Sequence, residues 1–532
     1  MPHSPTLRHP LTSLRRATAV LALFATVTTA AQSATPLVLP GSPAAQAAPG
    51  PTEKSGTART VARLVPAMER YVANLMRREE IPGLAVVIAD RDRVLYARGF
   101  GVREAGKSDP VTARTVFQIG SITKGFLATT TAIAVDSGKL AWDTPLVQRY
   151  PGFALKDPWL TQQVSAADVL SHSVGLQSYV HDDMIFLGYP LADRLRAAAQ
   201  APLTAPFRQR PQYVNLLHPV VGAVAAQATG EADWDALVAR RIFGPLNMSD
   251  SSTTREALLA AANHASPHQH LDGKLQVVAS VGSYWSSLGV GPAGSINSSA
   301  RDMGQWLRLQ LGRGAIDGQR IVSQANMDET WRPRTMVSPT AGGALGWGVM
   351  FAPQGRRITH EGGTASYGAN AMILPEAGIG IAVLSNHQQE GLPFALSQWI
   401  ADRIAGLPAK DYRAGFRRSD TPAPPAAAEA VDTAPLDGRY LSGTLGPITI
   451  TRQQGQLVMQ LEIPGARLRL VPTGALGFSA EVMAEGRFRE LVDEGFSPIY
   501  QLQFEPGPEG GGYRATAVSP QGIQHTFVKA PG

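Results

Sequence analysis

Ser121 and Lys124 are the residues of this chain best placed, by type and spacing, to do chemistry. They lie in Phe117-Gln118-Ile119-Gly120-Ser121-Ile122-Thr123-Lys124, just after a β-like run and at the mouth of a helical one. Residues three apart on a helix share a face, so the Ser121 hydroxyl and the Lys124 amine meet within hydrogen-bonding distance. A serine hydroxyl becomes a good nucleophile when a neighbouring base takes its proton. Lysine is such a base only where burial or nearby positive charge lowers its pKa enough to leave it neutral. A bare Ser-x-x-Lys also arises by chance, as a serine cap followed by a solvated lysine. Two further motifs decide against that reading.

The second motif is Tyr213-Val214-Asn215, in a loop before a helix that begins near Pro219. Side chains two apart on an extended segment point the same way. A tyrosine hydroxyl near a lysine can shuttle protons, and an asparagine amide can bind a substrate carbonyl. The third motif is His360-Glu361-Gly362-Gly363, expected on an edge strand, where glycines let a ligand approach the backbone closely.

Ser-x-x-Lys, Tyr-x-Asn and His-x-Gly, in this order and at these separations, resemble the serine β-lactamase and penicillin-binding-protein superfamily. The likeness is to its class C-like branch of D-aminopeptidases, DD-carboxypeptidases, family VIII esterases and class C β-lactamases. Leu170-Ser171-His172-Ser173-Val174-Gly175-Leu176 is similar to that branch's LLTHTSGL segment, and Ile242-Phe243-Gly244-Pro245-Leu246-Asn247-Met248 to its IFxPLGM. The run from Pro292 to Met303 is similar to its PAGGLxSTAxDM. The resemblance covers residues 60–405, and the tail after 435 resembles the lipocalin-like barrel of several secreted members.

The resemblance implies Ser121 as the acylated nucleophile, Lys124 as its proton acceptor and Tyr213 as the partner acid/base. It implies Asn215 as orienting the substrate amide. The backbone N–H groups of Ser121 and Gly363 would form an oxyanion hole, with Gly362, Gly363 and His360 lining the substrate site. One departure stands out. Serine β-lactamases and carboxypeptidases of the superfamily carry lysine where this chain has His360. A permanent ammonium attracts a substrate carboxylate, whereas imidazole is mostly neutral near pH 7 unless its pKa is raised. That favours an esterase, amidase or aminopeptidase. His172 and Ser173 read as loop scaffolding. His268 and His270, two apart in a polar loop with Asp272, read as solvated, so neither a metal nor a cofactor is expected.

The elements that must position these residues follow from periodicity. Val61 to Glu80 is helical in its spacing, and Pro82-Gly83 breaks it. Leu84 to Ala89 reads as a buried strand, Asp90-Arg91-Asp92-Arg93 as a hairpin turn and Val94 to Phe100 as its partner. From Ser121 the chain is helical to Ser137, and Gly138 supplies a cap. A mostly helical stretch follows, with loops around 150–165 and 177–192; the aromatic loop Tyr179 to Pro190 reads as a pocket wall or a packed lid. Strands return at Gly346–Phe351, Arg356–Thr359, Ala369–Leu374 and Ile379–Leu384, before a helix over Pro393–Ile404. Strands at both ends of a helical insertion predict an α/β (α+β) domain: one antiparallel sheet flanked by helices. Eight short β-like runs then suggest a small antiparallel barrel: Ile448–Thr451, Gln456–Leu461, Ala466–Val471, Gly477–Glu481, Arg489–Val492, Ile499–Phe504, Tyr513–Val518 and His525–Lys529.

Of 532 residues, 44% are hydrophobic and 17% charged, which suits a globular chain of more than one domain. Arg8, Arg15 and Arg16, the apolar stretch Ala17–Ala31 and small residues beyond it read as a secretory signal over 1–34. A flexible leader is expected over 35–58, a hydrolase domain over 59–415, a Pro/Ala linker over 416–434 and a barrel over 435–532. The formal charge is +6, and without the three signal arginines 45 basic residues face 42 acidic ones. No basic cluster with interleaved aromatics appears, so nucleic acid is not an expected partner. The sequence has no cysteine, which excludes disulfides and thiol chemistry. The expected protein is a periplasmic or secreted serine hydrolase with no membrane anchor after signal removal. Its expected partners are small-molecule or short-peptide substrates: peptides, amides or esters, D-amino-acid-containing ones among them. A class C-type β-lactamase or DD-carboxypeptidase is the alternative, and a penicillin- or peptide-binding protein with little turnover the rival from another class. The oligomeric state is left open.

Overall fold

Alternation along two distant apolar runs builds the sheet. In β1 (Gly83–Ala89) every residue is buried. Leu84, Val86 and Ile88 turn to one face while Ala85, Val87 and Ala89 turn to the other. Both faces must therefore be covered. The computed structural model describes residues 51–271, 273–278, 290–387, 391–414, 433–507 and 512–531. The signal segment, Asp272, most of the leader and nearly all of the linker lie outside them.

After β1 come β2 (Val94–Gly101), β3 (Thr335–Ser338), β4 (Ala341–Ala344), β5 (Trp347–Ala352), β6 (Gly355–Gly363), β7 (Gly368–Leu374) and β8 (Ile379–Ser385). They form one antiparallel sheet in the order β2-β1-β8-β7-β6-β5-β4-β3. The helices that concern the site are α1 (Pro51–Glu79), α2 (Thr123–Asp136), α3 (Asp182–Phe186), α4 (His218–Thr229), α5 (Ala300–Leu311) and α6 (Leu392–Ile404). α1 and α6 cover one face through Val61, Met68, Val72, Leu396 and Ile400. α5 covers the other with Trp306 and Leu307, above which α2 and α4 pack. The helix expected from Val61 begins at Pro51, inside the stretch expected as flexible leader.

His360–Gly363 was expected on an edge strand, and the structure corrects this. β6 is interior, with β7 on one side and β5 on the other. Its pairing with β5 stops at Gly348↔Thr359, however, while its pairing with β7 runs on to Gly363↔Gly368. Residues 360–363 thus overhang β5 and meet the short helical turn Gly120–Ile122 that carries Ser121. Two glycines make that approach possible. A Cβ on Gly362 would stand 1.9 Å from the Ile119 carbonyl oxygen, and one on Gly120 (φ +50°) would stand 2.8 Å from the Gly363 nitrogen.

The barrel holds eight strands, β9 (Gly438–Ser442), β10 (Gly446–Gln453), β11 (Gln456–Leu461), β12 (Ala466–Gly474), β13 (Gly477–Val482), β14 (Tyr500–Pro506), β15 (Tyr513–Val518) and β16 (Gln524–Lys529). It closes where β9 pairs with β16. Two errors in the sequence reading cancel in the count. Arg489–Asp493 is a helix, entered through the 3-10 turn Gly486–Phe488, and Gly438–Ser442 is a strand that was not expected. A four-residue run with two apolar residues, Leu491 and Val492, carries no period by which to tell the two apart.

The barrel and the hydrolase domain share an apolar cluster. Met184, Ile185, Leu187 and Tyr189, on and just after α3, pack with Tyr440, Tyr500 and Phe504 of the barrel. The Tyr189 hydroxyl donates to the Leu445 carbonyl at 3.0 Å. The segment Tyr179–Pro190 is thus the joint between the two domains. Because a Cβ on Gly362 would run into the Ile119 backbone, Gly362→Ala should lower stability by about 1–3 kcal/mol, as overpacking does. It should also slow any reaction at Ser121. Thermal unfolding of the variant beside wild type checks the first effect, and an unchanged melting point would show that β6 does not press on the Ser121 turn.

Candidate active site

Ser121 enters the site at the seam between the Gly120–Ile122 turn and α2, whose first turn buries Lys124 completely. The Lys124 Nζ donates to three acceptors: the Ser121 Oγ at 3.0 Å, the Asn215 Oδ1 at 2.8 Å and the Ala293 carbonyl at 2.7 Å. The Tyr213 hydroxyl donates to the same Ser121 Oγ at 2.7 Å. Lys124 and Tyr213 thus meet at one serine oxygen, and Asn215 joins them through the Lys124 amine. The third motif closes the opposite side through Gly362 and Gly363, with His360 half-buried and its ring centroid 6.4 Å from that of Tyr213.

Local structure explains the convergence. Tyr213 and Asn215 lie on the extended approach to α4, and His172 fixes them from below. The His172 ring lies 4.3 Å from that of Tyr213, and its Nδ1 accepts from the Val214 N–H at 3.2 Å. His172 thus has a scaffolding place, as expected, and directly beneath the site. His268 does not match its expected solvated state. It is fully buried, and its Nε2 accepts from the Ala105 N–H at 2.9 Å.

Electrostatics set the protonation states. Burial pulls the Lys124 amine down from 10.5 to about 7, against the opposing pull of the Asp182 carboxylate. Burial lifts Asp182 itself to about 7, against a hydrogen bond from the Asn215 amide, whose Nδ2 donates to Asp182 Oδ2 at 2.7 Å. Burial pushes the Tyr213 phenol up, so it stays protonated through neutral pH. His172 and His218 are driven down, chiefly by burial. His360 falls to about 3, from burial and then the Lys124 charge, so its imidazole is neutral across the physiological range. No fixed cation therefore stands at the position where the sequence departs from the lactamase pattern.

These groups can activate a hydroxyl. Charged, Lys124 matches three protons to three acceptors. Having lost one, it has a lone pair to receive the Ser121 proton, and Ser121 Oγ turns from acceptor to donor. Asp182 was not singled out from the sequence. It lies in the aromatic loop Tyr179–Pro190, which the sequence marked only as a pocket wall or a packed lid, and nothing in that loop's spacing points to Asn215.

Comparison with known proteins agrees with this geometry. The family described as Beta-lactamase matches residues 68–404. The chain belongs to that family. Penicillin-binding protein 4 of Amycolatopsis lactamdurans is 28% identical over 386 residues, spanning 70% of this chain and 96% of its own. An unguisins hydrolase of Aspergillus campestris is 27% identical over 333 residues, which is 59% of this chain and 60% of that protein. Esterase EstB of Burkholderia gladioli is 30% identical over 211 residues, covering 36% of this chain and 51% of the esterase. The octameric penicillin-binding protein homologue from Pyrococcus abyssi shares the fold, with a TM-score of 0.58 at 20% identity over 87% of this chain and 99% of its own. This β-lactamase-family chain is accordingly a serine hydrolase. Among the described residues no helix is long and apolar enough to cross a membrane.

The pKa directions give a pH profile. Neutral Lys124 is the reactive form, so acylation of Ser121 should rise with pH through about 7 and level off above it. Asp182→Asn removes the charge that holds the Lys124 pKa up, so the rising limb should move to lower pH. His172, His218 and His360 also face the amine, but all three are neutral over this range and leave the limb in place. Rates of covalent labelling at fixed probe, measured from pH 5 to 9 on both proteins, test this. A limb that stays put in Asp182→Asn would remove Asp182 from the account.

Proposed function

We propose that the chain is an exported serine hydrolase that works through an acyl-enzyme on small peptides, amides and esters, substrates with D-configured residues among them. The observation that carries this reading is the Ser121 Oγ held between the Lys124 amine at 3.0 Å and the Tyr213 hydroxyl at 2.7 Å. In the first step neutral Lys124 takes the Ser121 proton as Oγ attacks the substrate carbonyl carbon. The oxyanion forms between the Ser121 and Gly363 amides, whose fixed dipoles stabilise the new charge. Tyr213, kept as a phenol by burial, gives its proton to the leaving group. The Lys124 ammonium, 4.7 Å from the tyrosine ring centroid, restores it. Water then attacks the ester with the same pair acting in reverse, while Asn215 orients the substrate amide.

Neutral His360 supports preference for substrates without a carboxylate at that position. The esterase and hydrolase names among the relatives point the same way. Export rests on Arg8, Arg15, Arg16 and the apolar stretch Ala17–Ala31.

A phosphonate or fluorescent penicillin should add its mass to the peptide containing Ser121, and Ser121→Ala should remove both label and turnover. Lys124→Arg keeps the charge but offers no neutral amine, so turnover should fall about a thousandfold or more. Label on another serine, or near-normal turnover in Lys124→Arg, would overturn the assignment. Labelling without turnover of p-nitrophenyl esters would indicate a binding protein instead.

His360→Lys introduces the missing cation. A charge-assisted hydrogen bond to a carboxylate contributes roughly 1.5–3 kcal/mol. The ratio of cephalosporin to neutral-ester hydrolysis should therefore rise about tenfold or more. A flat ratio would take substrate charge recognition away from this position.

A further inference from the structure

At the joint between the domains, three ligand-type side chains converge from opposite ends of the chain. His181 immediately precedes α3, Asp183 lies in its first turn, and His525 comes from β16 of the barrel. One ligand atom from each lies within 4.8 Å of the others, and all three side chains are almost wholly buried: His181 is 3% exposed, Asp183 1% and His525 0%. We propose that His181, Asp183 and His525 bind a divalent cation of the zinc class, which pins the barrel to the hydrolase domain.

The first argument is unmet bonding capacity. Neither ring nitrogen of His181 has a hydrogen-bond partner, and Asp183 Oδ1 has none either. The Ala197 backbone lies near the ring but outside hydrogen-bonding geometry. An imidazole with both nitrogens idle in a dry site is a costly arrangement, and an ion is one of the few things that resolves it. His181 also sits at φ 56°, a left-handed backbone that non-glycine residues rarely adopt, and this directs its ring into the joint.

The second argument is the surrounding hydrogen bonds. The His525 Nδ1 lies 2.8 Å from the Thr444 hydroxyl. A histidine that binds metal through one nitrogen commonly donates the other N–H to such a partner, which fixes the tautomer with a lone pair on Nε2. Without the ion Nε2 instead donates to Asp183 Oδ2 at 2.9 Å, a hydrogen bond the cation would replace, and the Tyr500 hydroxyl donates to the same oxygen at 2.5 Å and orients the carboxylate. Two imidazoles and one carboxylate are a donor set that zinc accepts, with a water completing four-coordination. Metal–ligand distances near 2 Å place tetrahedral donors about 3.4 Å apart, so the 4.8 Å spread must contract. His181, with nothing to break, is the residue free to move.

The test uses the untagged full-length protein, stripped with a chelator and dialysed. Titration with Zn2+ by calorimetry should show one equivalent bound, and Co2+ should develop the intense visible bands of a four-coordinate site. Saturating Zn2+ should raise the melting temperature by about 2 °C or more. His181→Ala removes a ligand that makes no hydrogen bond, so the protein should fold normally and bind Zn2+ about 100-fold more weakly or worse. Thr444→Val should cost about tenfold. His270→Ala is the control, because His270 pairs with His387 at 2.8 Å, away from the proposed site; it should bind as wild type does. No Zn2+ or Co2+ binding by the wild type, or wild-type affinity in His181→Ala, would overturn the proposal.

Discussion

The arrangement of the hydrolase site depends on one buried amine. Lys124 has no contact with solvent, yet its three hydrogen bonds reach three separate parts of the chain: the turn at Ser121, the extended segment at Asn215 and the Ala293 carbonyl. A fall in pKa from 10.5 to about 7 corresponds to roughly 5 kcal/mol against the ammonium. Because the folded state holds the proton less tightly than the unfolded one, this cost grows as pH falls from 10.5 toward 7 and is complete below that. The sheet and its two helical covers must offset it, and they do so with apolar area spread over both faces.

The approach of β6 to the serine turn is the second constraint, and it is one of backbone rather than side chain. An overhanging strand end keeps its N–H groups out of the ladder on one side, and side-chain-free residues at 120 and 362 let two backbones come closer than any Cβ would allow. Sheet geometry and site geometry are thereby the same thing at this point. A β5 strand three residues longer would run opposite Gly363 and cover the amide proposed for the oxyanion.

What could be read from the chain divides by the range of the interactions involved. The buried strands at 83–89 and 379–385, the helix after Ser121 and the hairpin at Pro375–Gly378 are specified locally, by apolar runs and turn residues, and stand where the sequence places them. Ser121, Lys124, Tyr213, Asn215, Gly362 and Gly363 were legible because their order and separations are those of a known superfamily. Asp182 was not, since its partner Asn215 is brought to it only by the fold. The same holds for His181 and His525, hundreds of residues apart with no pattern joining them. The interior place of β6 was missed although both its neighbours, β5 and β7, were expected as strands: the pairing order is set by the fold, and the short strands β3 and β4 beyond β5 were not expected at all. In the barrel, Arg489–Asp493 was too short for its period to show.

The shared cluster around α3 also bears on the order in which the molecule is made. A ribosome completes the whole hydrolase domain before the first barrel strand appears, and the barrel closes only when β16 pairs with β9. Until then Met184, Ile185, Leu187 and Tyr189 lack the barrel side of their cluster. A chain interrupted anywhere before residue 524 therefore presents a sticky apolar face beside a nearly finished catalytic centre, the kind of surface that chaperones and proteases act on. Complete burial of this face therefore waits on the last strand of the barrel.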